Sequence, residues 1–114
     1  VKVRHWKEVP EETMGQGTEG VIKRVLIGPD EGAPTFVLRH FTLEAGACSP
    51  HHVHDWEHEV FVLSGTGLVV GPEGERTIRP GDAVYVPPGE KHQFRNPTSE
   101  SFRFLCVVPL KAGR

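Results

Sequence analysis

The sequence predicts an all-β fold, a sandwich or a barrel, and three observations carry that prediction. First, no stretch sustains the apolar recurrence at i, i+3, i+4 and i+7 that an amphipathic helix needs. Second, short runs rich in β-branched and aromatic residues recur from end to end, such as GVIKRVLI, TFVLRHFTL and FRFLCVV. Third, Gly- and Pro-rich turn signals separate them: GPDEGAP, EAGACSP, SGTG, GPEGE, RPGD, PPGE and NPTSES.

In chain order the pattern predicts strands near 20–27, 35–43, 49–54, 58–63, 66–70, 75–78, 83–86, 91–95 and 102–108. GPEGE between LVV and RTI reads as a hairpin turn. Residues 15–20, GQGTEG, spell G-x-G-x-x-G, but a dinucleotide site needs a strand before that motif and a helix after it. Here EVPEETM precedes and the strand-like VIKRVLI follows, so the segment reads as a loop. There is no internal repeat or linker, and a single domain over residues 1–114 is expected.

Composition excludes several function classes. Of the 114 residues 37% are hydrophobic and 25% charged, and the net charge of −2 leaves no basic footprint for nucleic acid. No apolar run reaches the roughly 18 residues of a membrane span, and VKVRHWKEVPEE lacks the apolar core of a signal peptide. A cytoplasmic protein without membrane or nucleic-acid partners is therefore expected. Cys48 and Cys106 form no CxxC, and two reduced thiols are expected. Asparagine and glutamine are confined to Gln16, Gln93 and Asn96 among 10 prolines, a leaning toward a heat-adapted source.

Chemistry concentrates in HHVHDWEHE, residues 51–59, which holds four histidines, three carboxylates and a tryptophan. On a strand, His52 and His54 project from one face and His51 from the other. Two imidazoles converging from one face can anchor a transition metal. HxH alone is a weak signal. It is strengthened by the apolar run from His58 to Gly65 and by GDAVYVPPGEKHQFRN, which sets His92 just after a Pro-Pro-Gly turn. Without a metal, clustered imidazoles would only fill polar positions on a sheet, and protonating them together would bring like charges into contact.

These residues resemble the cupin superfamily, whose motifs run G(X)5HXH(X)3–4E(X)6G and G(X)5PXG(X)2H(X)3N. Gly46, His52 and His54 match the start of the first; Gly81, Pro87, Gly89, His92 and Asn96 match the whole second. The resemblance implies a cupin β-barrel, a jelly-roll-like double-stranded β-helix. It departs from the family where a glutamate ligand usually stands. Three residues after His54 comes His58, and four after comes Glu59. Six residues separate His58 from Gly65 but only five separate Glu59 from it, so the spacing favours His58. The chain thus resembles the less common four-histidine cupins, including small manganese-binding ones, with His52, His54, His58 and His92 as ligands.

The resemblance puts Mn(II) first and Fe(II) second; imidazole donors also suit Ni, Cu and Zn. Four neutral ligands on a six-coordinate ion leave two positions for water, substrate or dioxygen. Glu57 and Glu59 are candidates to orient a ligating ring or are simply solvated charges. Strand parity turns Phe94, Phe104 and Cys106 inward. It also puts Arg39 on the apolar face of its strand, to hold a substrate carboxylate or enolate, or to pair with a carboxylate of this chain or a partner. Arg39, Phe104 and Cys106 are the candidate pocket residues. The leading expectation is a dioxygenase-like, metal-dependent oxidoreductase acting on a small, mostly apolar substrate with O2. The alternatives are a non-redox isomerase or lyase and a ligand-binding barrel without turnover. The resemblance implies a homodimer, with the N-terminal strands of residues 1–27 at its interface.

Overall fold

The computed structural model describes residues 1–112. Eight strands form: β1 (Val21–Ile27), β2 (Phe36–Leu43), β3 (His58–Ser64), β4 (Gly67–Gly71), β5 (Gly74–Ile78), β6 (Ala83–Val86), β7 (Gln93–Arg95) and β8 (Phe102–Pro109). The helical pieces are three-residue 3-10 turns at Trp6–Glu8, Pro29–Glu31 and Leu110–Ala112. The strands make a five-stranded sheet, β1-β2-β8-β3-β6, and a three-stranded sheet, β5-β4-β7. Every strand pair is antiparallel. This is the all-β barrel that the sequence predicts.

Alternation builds the core. In β8, Phe102, Phe104, Cys106 and Val108 are buried while the residues between them are half-exposed. In β3, His58, Val60 and Val62 are buried while Glu59, Phe61 and Leu63 face out. One hydrophobic cluster joins these to Val37, Phe41 and Leu43 of β2 and to Ile78 and Phe94 of the second sheet. β2 departs from simple alternation because His40 and Thr42 on its other face are buried too. The chain before β1 makes one bridge, Glu12 to Lys23, and folds back so that Trp6 stacks on His40, ring centroids 4.3 Å apart. Within the N-terminal segment expected at a dimer interface, only β1 is a strand.

The predicted hairpin joins β4 and β5, and Pro72 and Glu73 form its two-residue turn, where Gly71 pairs with Gly74. GQGTEG is a turn running directly into β1, as expected of a loop. One expectation is corrected: residues 49–54 are not a strand. Apart from the isolated bridge His52 to His92, and Cys48 to Arg95 just before it, that segment meets β7 through single bonds at Ser49, whose N–H donates to the Phe94 carbonyl at 2.8 Å. Pro50 lacks an N–H, so continuous pairing is broken beside it.

Two motif residues prove architectural. Gly65 has φ of 77°, and a side chain there would run into the backbone oxygen of Ser101. Asn96 is buried; its amide donates to the carbonyls of Leu43 (2.8 Å) and Glu100 (2.7 Å). Its side-chain oxygen accepts from the backbone N–H of Thr98 at 2.9 Å.

Candidate metal centre

The two chain segments carrying the histidines meet through backbone pairing. His52 N–H donates to the His92 carbonyl at 3.1 Å, and His92 N–H returns the bond at 3.0 Å. His54 follows on the same loop, and Gly89 N–H donates to the His54 carbonyl at 2.8 Å. His58 is the first residue of β3, buried and facing inward. Ring centroids lie 4.9 Å apart for His52–His54, 5.1 Å for His52–His92 and 5.0 Å for His54–His92. His58 lies 4.5 Å from His54 and 5.0 Å from His92.

One nitrogen from each of His52, His54 and His92 fits within a 4.8 Å spread, so these three could hold a metal ion. Their hydrogen bonds agree with that role. His54 Nδ1 lies 3.1 Å from the Trp56 carbonyl, and His92 Nδ1 lies 2.9 Å from the Glu90 carbonyl. A carbonyl only accepts, so each Nδ1 carries the proton and each Nε2 presents a lone pair. His58 Nε2 stands 2.7 Å from His54 Nε2. Burial pushes His52 and His54 below the ordinary histidine range. Burial, followed by the nearby Arg39 charge, takes His58 down to about 3. Neutral imidazole is the form that binds a cation.

The other candidates fall around this cluster. Arg39 on β2 pairs in register with Cys106 on β8, which pairs with Val60 on β3. Arg39 Nη2 lies 3.2 Å from His58 Nδ1 and donates to Cys106 Sγ at 3.1 Å, and Cys106 Sγ lies 3.0 Å from the same Nδ1. Burial pushes the Cys106 thiol up, against the pull of Arg39, so it stays neutral. Phe104 packs among Phe41 (5.3 Å), Phe94 (4.9 Å) and Phe102 (5.2 Å), filling the barrel beneath the histidines. Glu57 and Glu59 are exposed, and His51 is exposed as well. His40 lies under Trp6, away from the cluster's hydrogen bonds.

Two neighbours were not singled out from the sequence as parts of the site. Trp56 stacks flat on His54, centroids 4.3 Å apart. Glu90 joins His92, Val69, Val84, Val86 and Tyr85 in lining a cavity of about 300 Å³. Three residues separate Val86 from Glu90 and only one separates Glu90 from His92, but which way a turn residue faces is not written in parity.

The cupin domain model matches residues 39–108, which includes all four histidines. The chain belongs to the cupin family. Among solved structures, this cupin is similar to the polyketide cyclase RemF of Streptomyces resistomycificus. The two are 35% identical, with a TM-score of 0.90 over 96% of this chain and 79% of that one. Among curated proteins it is 35% identical over 71 residues to the 1-methylthio-D-xylulose 5-phosphate methylsulfurylase of Rhodospirillum rubrum. It is 44% identical over 61 residues to the glucose-6-phosphate isomerase of Pyrococcus abyssi. Those matches cover 62% and 48% of this cupin but only 46% and 32% of the relatives, so it spans less than half of each. Among its described residues, no helix is long and apolar enough to cross a membrane.

Proposed function

We propose that this cupin is a metal-dependent enzyme acting on a small organic substrate that carries an enolisable carbonyl and an anionic oxygen. His52, His54, His58 and His92 would hold the ion, with Mn(II) or Fe(II) preferred and Ni, Cu or Zn as substitutes. The observation that carries the reading is the position of Arg39. It lies against His58, its Nε is buried without a hydrogen-bond partner, and it has no ion pair with a carboxylate among the described residues. A part-buried guanidinium left in this state is a receptor for negative charge.

A bound ion would supply Lewis acidity at a substrate oxygen. Arg39 would stabilise negative charge developing on that oxygen, in surroundings from which Phe41, Phe94 and Phe104 exclude water. Glu90 lines a cavity that reaches His92, and would accept a proton from the carbon of a substrate bound there. The printed activities of the relatives, a cyclase and an isomerase among them, support non-redox chemistry of this kind.

The oxidoreductase reading competes with it on one observation. An all-imidazole donor set suits redox-active ions and leaves coordination positions for substrate and O2. Protein purified without added metal, analysed for its elements and then incubated with β-dicarbonyl probes in D2O, separates the two. Metal-dependent exchange of carbon-bound hydrogen without oxygen uptake, lost in Arg39→Met, is the expected result. Metal-dependent oxygen uptake without exchange would replace this reading with the oxidative one. In the same preparations His58→Ala lowers metal content far more than Glu59→Ala. Equal losses would move the fourth ligand to Glu59.

A further inference from the structure

His58 differs from its neighbours in how its ring is held. His54 and His92 each point Nδ1 at a backbone carbonyl, which permits one tautomer. His58 Nδ1 instead meets a pure donor, Arg39 Nη2 at 3.2 Å, and the one group beside it that can also accept, the thiol of Cys106 with Sγ at 3.0 Å. Its Nε2 meets the lone pair of His54 Nε2 at 2.7 Å, a hydrogen-bond distance.

Two self-consistent arrangements follow. With the proton on Nε2, His58 donates to His54 while its bare Nδ1 accepts from Arg39. With the proton on Nδ1, His58 donates to Cys106 Sγ, and its Nε2 lone pair joins that of His54, which only a cation makes favourable. In the second arrangement Arg39 keeps a partner without moving, because its Nη2 also reaches Cys106 Sγ at 3.1 Å.

We propose that Arg39 and Cys106 are positioning residues that set the tautomer of His58 in opposite senses, Arg39 holding the metal-free form and Cys106 the metal-bound form. The proposal rests on the reading that His58 is a ligand. On metal binding one proton leaves Nε2 for solvent and one is taken up from solvent at Nδ1, so the ring stays neutral. The neutral thiol is a weaker acceptor than the carboxylate that often backs a ligating histidine. It therefore lends the ring little basicity and leaves the ion the stronger Lewis acid.

Full-length protein labelled with 15N-histidine tests this by long-range proton–nitrogen correlation, metal-free and with Zn²⁺. The expected spectra place the His58 proton on Nε2 without zinc and on Nδ1 with it, while His54 and His92 keep theirs on Nδ1 throughout. Zinc affinity measured against a chelator should fall about tenfold in Cys106→Ala. It should recover in Cys106→Ser and rise several-fold in Arg39→Gln. A His58 proton on Nδ1 in both states overturns the proposal, as do Cys106→Ala and Arg39→Gln affinities that move together or not at all. If His58→Ala loses zinc while those two do not respond, only the tautomer assignment fails. If His58→Ala binds zinc like the parent, the ligand reading fails with it. The wild-type spectra and Cys106→Ser decide the matter even if Cys106→Ala does not fold.

Discussion

The indole of Trp56 lies 6° from parallel with the imidazole of His54, and the carbonyl of the same tryptophan accepts the His54 Nδ1–H. One residue thus fixes both the tilt and the tautomer of a candidate ligand. Trp56→Ala removes only the stacked face, since the carbonyl belongs to the backbone. Zinc affinity should fall about threefold to tenfold in a chelator competition, with Trp56→Phe near the parent value. An unchanged Trp56→Ala would mean that the carbonyl alone holds the ring.

Asn96 matches the family pattern, yet its contacts are all with the fold. Asn96→Ala removes the side-chain partner of the Leu43 carbonyl and of the Thr98 N–H and leaves the Glu100 carbonyl only the Thr98 hydroxyl, and should cost about 2–4 kcal/mol of stability in urea unfolding. Asn96→Asp should be no better, because a carboxylate cannot donate to those two carbonyls. Metal affinity of whatever remains folded should match the parent.

His40 is 2% exposed, and its pKa is lowered to about 4 by burial first and by Arg24 and Arg103 next. The unfolded chain binds this proton near pH 6.5 and the folded chain does not, so stability is complete above pH 6.5 and declines as pH falls toward 4. His40→Phe should remove that component. Its stability relative to the parent should improve by on the order of 2–3 kcal/mol between pH 7 and pH 4. A constant difference across that range would show that His40 does not titrate in this way.

The outer face of the larger sheet is apolar where solvent would favour polar residues. Phe61 is 48% exposed and Tyr85 59%, and Leu38, Leu105 and Val107 line the groove between them. We propose that a second copy of the chain covers this face, which lies outside the residues 1–27 expected at a dimer interface. Sedimentation should give a dimer for the parent and a monomer for the double variant Phe61→Asp, Tyr85→Asp. A parent that stays monomeric at high concentration would remove the idea.

Much of the fold was legible because turn chemistry and alternation are local. Gly81 and Gly89 take φ of 93° and 79°, the conformations their places in the second motif call for. β8 alternates as its parity requires. What was not legible depends on residues far apart in sequence. Parity turned Phe104 inward but could not say that Phe41, Phe94 and Phe102 already fill the space around it. The contact of Arg39 with Cys106 and His58 needs β8 to lie between β2 and β3, an order set by the whole sheet. Residues 49–54 carry strand-like parity but too little backbone pairing to make a strand.

The reciprocal backbone bonds between His52 and His92 carry a last consequence. The two residues bracket a stretch of chain that includes β3, β4, β5 and β6. A cation held by both imidazoles would join the ends of that loop only in the folded chain, because the unfolded chain offers no preformed site. Removal of the ion by chelation therefore amounts to cutting a reversible tether. The melting temperature should track free metal concentration.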